Sequence, residues 1–139
     1  MGGSQGSQDL GKAILRVVLG VLILLHGIYK LTHSAAFGFV AQSVTQAGLP
    51  EWLAYLVYIG EVVAPVLLII GLWSRLAGLI VAINMLFAYA LVHSKQFGML
   101  AETGGWALEL QGMYLAAALA VALLGAGRLS VGGVGGKWN

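Results

Sequence analysis

The run from Tyr58 to Arg75, Y-I-G-E-V-V-A-P-V-L-L-I-I-G-L-W-S-R, is long enough to cross a bilayer, yet it carries a carboxylate, Glu61, in its outer half, with Arg75 at its far end. A charge in hydrocarbon costs at least about 2.5 kcal/mol unless it is paired or reaches water. An acid there demands a basic partner, and Lys30, at the end of the preceding apolar run, is the candidate the sequence supplies. The whole chain agrees with a lipid setting. Hydrophobic residues make up 60% of it and charged residues 9%, too little charge to cover a water-facing surface.

With 139 residues there is room for four spans joined by short connections, and none for a separate soluble catalytic domain. The net charge of +2 is scattered along the chain and does not point to nucleic acid. Cysteine is absent, which excludes disulfides, thiol redox chemistry and iron–sulfur ligation.

Residues 1–8 are rich in Gly, Ser and Gln and read as a flexible tail. A membrane domain follows over residues 9–130, and 131–139 form a Gly-rich tail. Spans are expected over 10–31, 52–73, 76–92 and 106–126. The first reads as a span rather than a secretory signal because its apolar run ends in His26 and Lys30. Between the first two spans, Phe37, Val40, Ala41, Val44 and Ala47 recur at helical spacing, so a short amphipathic helix is expected, stopped by Gly48 and Pro50. Pro65 is carried inside the second span with a local kink. In the fourth, Gly112, Ala116 and Ala120 form a small-residue ridge suited to close helix packing. The fold class is thus all-α: a polytopic four-transmembrane-helix bundle.

Basic-residue placement sets the topology. With both termini cytoplasmic, Lys12, Arg16, Arg75, Arg128 and Lys137 lie inside and Lys95 outside. Arg16, Arg75 and Arg128 then serve as markers of one interface. Lys30, Glu61, Tyr89 and Tyr114 each sit fourteen positions from the marker on their own span, roughly 21 Å across the core at 1.5 Å per residue. His26 and Asn84 fall deeper, Gln111, His93 and Glu109 shallower. His26 and Lys30, four positions apart, share a helix face. The expected site is a polar pocket in apolar surroundings, formed by His26, Lys30, Glu61, Asn84, Tyr89, His93 and Tyr114, of a kind that suits a small hydrophobic ligand such as a quinone.

Plainer roles stand beside this one. A Lys–Glu pair can simply hold two helices in register. His26 can bond a carbonyl, Asn84 can bridge helices, Tyr89 and Tyr114 can pack or sit at the interface, and His93 and Glu109 can reach water. The scattered histidines His26, His33 and His93 make no metal motif, and His26 and His93 differ by about 12 Å in depth, which argues against a shared haem iron. No nucleophile elbow, phosphate loop or dinucleotide fingerprint is present, and no catalytic residue is assigned.

The first span opens L-G-x-x-x-x-R and ends H-G-x-x-K-L, through Leu10, Gly11, Arg16, His26, Gly27, Lys30 and Leu31. G-L-P at 48–50, G-E at 60–61, G-L-x-x-R at 71–75, His93, G-G-W at 104–106 and G-x-G-R-L-S at 125–130 follow in order. This series resembles the DoxX family of small bacterial membrane proteins. The resemblance implies a four-helix membrane bundle in the bacterial inner membrane, associated with quinone-linked oxidoreductases or oxidative-stress assemblies. Where relatives often carry an acid directly after G-G-W, this chain has Ala107, with Glu109 two places on. The reading is an accessory subunit that does not catalyse alone, with quinone as a non-covalent ligand and other membrane or redox subunits, or further copies of itself, as partners. A scaffold whose Lys–Glu pair is structural, and a small transporter or channel, are the alternatives.

Overall fold

The computed structural model describes residues 2–139. It is helical, with no strand among the described residues beyond an isolated bridge between Leu100 and Trp106. In chain order come α1 (Gly2–Thr32), α2 (Ser34–Gln46), a 3-10 turn (Glu51–Leu56), a π turn (Ile59–Val63), α3 (Ala64–Ile70), α4 (Ser74–Leu91), a second 3-10 turn (Ser94–Gln96) and α5 (Glu109–Leu124). Among the described residues, three helical stretches are long and apolar enough to cross a membrane: Gly2–Thr32, Glu51–Ile70 and Ser74–Leu91. In the segment expected as a fourth span the helix is shorter, the 16 residues of α5.

Helix α1 packs on α3 and α5, and α4 packs on α3 and α5. Between them lies a core of Leu19, Ile23, Leu68, Val81, Ala118 and Val121. Helices α4 and α5 come close together at Gly78, where a Cβ would fall 2.8 Å from the Ala118 carbonyl and 3.0 Å from the Ala122 nitrogen. The small-residue ridge expected at Gly112, Ala116 and Ala120 is therefore not the packing seam. Ala116 is exposed, and the buried line runs through Tyr114, Ala118 and Val121. An apolar helix in lipid shows little sequence contrast between its faces, so small residues alone do not tell which face is covered.

The two tails also differ from expectation. Residues 2–8 continue α1 as helix although they are exposed, because extending a helix already nucleated by a long apolar run needs no new nucleus. The Gly-rich C-terminal segment folds back under the helix ends. The Val131 and Gly132 amides donate to the Ile70 and Gly71 carbonyls, and the Arg75 amide donates to the Trp138 carbonyl. Asn139, 6% exposed, accepts from the Ser74 amide at 3.0 Å and donates to the Gly133 carbonyl at 2.6 Å.

At this end the arginines do more than mark an interface. Arg16, 2% exposed, donates to the carbonyls of Leu68 and Ile69, both at 2.8 Å, of Ala126 at 3.3 Å, and of Leu129. Arg75 donates to Ala122 at 3.1 Å and Leu123 at 2.5 Å. Both guanidiniums thus occupy helix C-termini, where orphan carbonyls and the negative dipole end favour a cation. Asp9, just ahead of the apolar run, pairs with Arg128 at 2.5 Å. The Arg128 side-chain hydrogen bond holds the Asp9 carboxyl below the usual carboxylate range. A carboxyl depressed in this way contributes stability above its unfolded pKa, and the contribution is lost as pH falls through the folded value.

Candidate functional site

The site begins with a proline. Pro65 has no N–H, and its ring crowds the carbonyl four residues back, which is Glu61. The backbone responds with the π turn at Ile59–Val63, in which the Ala64 amide donates to Ile59. The Glu61 carbonyl then lies against α1 at Gly27, where a Cβ would collide with Glu61 backbone atoms and would sit 2.7 Å from Val62 Cγ2. Glycine at 27 is what allows this approach. Gly27→Ala is expected to lower stability by about 1–3 kcal/mol through overpacking. Gly11→Ala on the same helix, where a Cβ meets nothing within 4 Å, should be neutral or stabilising by up to about 1 kcal/mol. Thermal unfolding of both variants in one detergent checks the contrast.

The approach of the two backbones brings the charges together. Lys30 Nζ donates to Glu61 Oε2 at 2.6 Å, with side chains 17% and 10% exposed. Asn84 of α4 donates to Glu61 Oε1 at 3.4 Å. A Cβ at Gly60 would fall 2.6 Å from the Asn84 side chain, so a second glycine opens the space for that contact. Tyr58 adds a bond from its hydroxyl to the Lys30 carbonyl at 3.4 Å.

This triad forms part of the wall of a cavity of about 740 Å³, within the range of small-molecule sites. His26 and Lys30 enter from α1, Asn84 from α4, and Gln111 and Tyr114 from α5, with His93 at the loop end. The His26 and Tyr114 rings meet edge to face, centroids 6.1 Å apart. Ile23, Ile80 and Met85 supply apolar wall. Helix α2 contributes Phe39, Val40, Ser43 and Val44. It is held there by Phe37, which stacks on Tyr58 at 5.2 Å and packs on Tyr55 at 4.9 Å, and by Ala41 and Val44 against Ala54.

Six of the seven sequence-predicted residues therefore line one space: His26, Lys30, Glu61, Asn84, His93 and Tyr114. His93 also bonds Gln96 through Nδ1 at 2.7 Å. Tyr89 does not join them. It lines a separate apolar groove with Phe97, Trp106 and Gly112, and its buried hydroxyl has no hydrogen-bond partner. Asn84 and Tyr89 are five positions apart on one helix, so they point about 140° apart, and a shared depth does not give a shared face. Gln111 enters the cavity wall without having been assigned to the site, and its Oε1 is buried with no hydrogen-bond partner. Its i, i+3 spacing from Tyr114 was the available signal. No group of three or more metal-ligating side chains occurs among the described residues.

Long apolar helices define a membrane protein, and within it a buried ion pair borders a largely apolar cavity. The family model described as DoxX matches residues 11–94, well over half the chain, and the protein belongs to the DoxX family. The matched region holds His26, Lys30, Glu61, Asn84 and His93 and stops short of Gln111 and Tyr114. A protein of Bacillus subtilis (strain 168) described as "Putative oxidoreductase CatD" is 29% identical over 89 residues, which cover 64% of this chain and 64% of that relative. The chain thus spans less than two thirds of the length of the curated relative it matches. No solved structure matches.

Proposed function

We propose that this protein is an integral subunit of a quinone-linked redox or oxidative-stress system in the bacterial inner membrane. In this reading α1, the Glu51–Ile70 stretch, α4 and α5 all cross the bilayer as a four-helix bundle. Both termini are cytoplasmic, which puts the arginine end inside. The supporting observation is the meeting of a net-neutral Lys30–Glu61 pair with an apolar cavity that also receives His26 and Tyr114. A quinone head group needs hydrogen bonding at its two oxygens, an apolar slot for its ring, and a proton exchanger nearby. Lys30, Tyr114 and His26 have the right chemistry for the polar part, and Ile23, Ile80 and Met85 for the slot. The electrons come from a partner redox subunit, and the relative described as an oxidoreductase is consistent with such a setting.

The scaffold reading draws support from the way Lys30, Glu61 and Asn84 satisfy one another. A transporter or channel has less support, because Leu19, Leu68, Val81 and Val121 fill the core toward the arginine end. The test is a titration of the protein in lipid nanodiscs with decylubiquinone, followed by quenching of its tryptophans. Saturable binding is expected, weakened at least about tenfold in the Lys30→Met/Glu61→Leu double variant, as for loss of one hydrogen bond to a charged group. A folded double variant that binds decylubiquinone as wild type does leaves the scaffold reading in place of this one.

A further inference from the structure

The cavity is not closed on all sides. Where α4 runs beside the second apolar stretch, the two meet at two levels. At the lower one the Asn84 side chain lies against Gly60, where a Cβ would fall 2.6 Å from it. At the upper one Leu91 packs on the cluster of Ala41, Val44 and Ala54. Asn84 and Leu91 are seven positions apart on one helix, roughly 10 Å along its axis. Between these levels Leu56 of the 3-10 turn and Ile83 and Phe87 of α4 line the cavity, yet each is about half exposed. A side chain that is both cavity wall and outer surface marks an edge. Ile83 and Phe87, four positions apart, set that edge along one face of α4.

We infer that this gap, rimmed by Leu56, Ile83 and Phe87, is a lateral window through which the apolar tail of the ligand leaves the cavity for the lipid. The inference rests on the quinone reading of the cavity and narrows it: the ligand is a head group on one extended tail, dissolved in the membrane. A cavity of about 740 Å³ has the size of a compact small-molecule site and does not also enclose a long prenyl or alkyl chain. Such a chain needs an exit. A head group seated at Lys30, Glu61 and Asn84 has the window beside it, because Asn84 forms its lower edge. The other exposed side chains of the wall stand beside polar groups. Tyr29 stacks on His33 at 4.0 Å, Phe39 is one turn from Ser43, and Leu110 follows Glu109 at the start of α5. Ile83 and Phe87 lie inside α4, where a chain crosses the wall into hydrocarbon without meeting water.

The experiment uses the full chain in nanodiscs and a decylubiquinone analogue that carries a diazirine midway along its tail. After illumination, mass spectrometry is expected to find adducts at Leu56, Ile83 and Phe87 that excess decylubiquinone suppresses. Suppressible adducts at Tyr29, Phe39 or Leu110 instead overturn the window and leave the cavity as a quinone site. A second measurement closes the gap. Because the chain has no cysteine of its own, the Leu56→Cys/Phe87→Cys variant can be bridged by a short bismaleimide at those two positions alone. Bridging is expected to lower the affinity for decylubiquinone relative to that for its tailless benzoquinone head group at least about tenfold, the size of an overpacking penalty. A cavity that is merely distorted by the bridge would lose both ligands in equal measure, and that result, or an unchanged ratio, counts against the window. If decylubiquinone neither binds saturably nor suppresses any adduct in the wild-type protein, the quinone reading and the window fall together. Should the cysteine variant fail to fold, the adduct positions in wild type decide alone.

Discussion

Arg16→Met is expected to destabilise the protein by about 3–5 kcal/mol and to release the C-terminal segment from the helix ends. Two effects oppose each other at this position. Removing the guanidinium relieves the desolvation of a side chain only 2% exposed. It also strips the donor from the carbonyls of Leu68, Ile69, Ala126 and Leu129. A buried acceptor left unmet costs about 1–3 kcal/mol, so losing even two of the four outweighs the relief. The relief is itself small, because the cation sits at the C-terminus of α3, where the dipole already favours it. Methionine preserves the apolar stem and isolates the loss of donors. Arg16→Lys should fall between, since an ammonium cannot span four acceptors as a planar fork does. The midpoint of unfolding in detergent gives the magnitude. Hydrogen exchange at the Val131 and Gly132 amides, which bond Ile70 and Gly71, reports release of the tail. A variant with the wild-type midpoint and unchanged protection at those amides would show that Arg16 is only an interface marker.

That arginine also illustrates what the sequence conceals. The apolar runs, the helix between the first two of them and the pairing of Lys30 with Glu61 are legible because hydrocarbon penalises isolated charge so strongly that few arrangements remain. Counting residues from the arginines works for Lys30 and Glu61 because it estimates depth, and depth along a helix is nearly fixed by rise per residue. It fails for Tyr89 because azimuth is lost in the count. The seam at Gly78, Ala118 and Ala122 is hidden for a related reason: α5 is apolar all round, and nothing in its pattern separates a lipid face from a packed one. The C-terminal segment reads as loose because its glycines lack side chains to bury, yet it is tied down through backbone amides and Asn139, which leave no hydropathy trace. Pro65 was legible as a kink. That its crowding of Glu61 would deliver the carbonyl to Gly27 needed the three positions in space.

The Lys30–Glu61 pair itself is expected to behave in a way that no count of contacts suggests: either single replacement should be far worse than both together. Lys30→Met leaves a carboxylate, and Glu61→Leu leaves an ammonium, in a setting where an unpaired charge costs about 3 kcal/mol. The double variant leaves neither, and its unfolding midpoint should return to within about 1 kcal/mol of wild type, because replacing a buried pair by apolar groups of similar size is close to neutral. The two singles should not match. After Lys30→Met, Glu61 keeps its bond from Asn84. After Glu61→Leu, Lys30 has no second acidic partner among the described residues, although its longer stem lets the ammonium turn toward the exposed side of the cavity. Which single is worse therefore measures whether Asn84 or solvent is the better substitute partner. Additive losses in the double variant would mean that the two groups do not sense each other in the membrane. Strong coupling with full recovery would separate folding from chemistry, and any failure of quinone binding in the stable double variant could then be assigned to the site rather than to the scaffold.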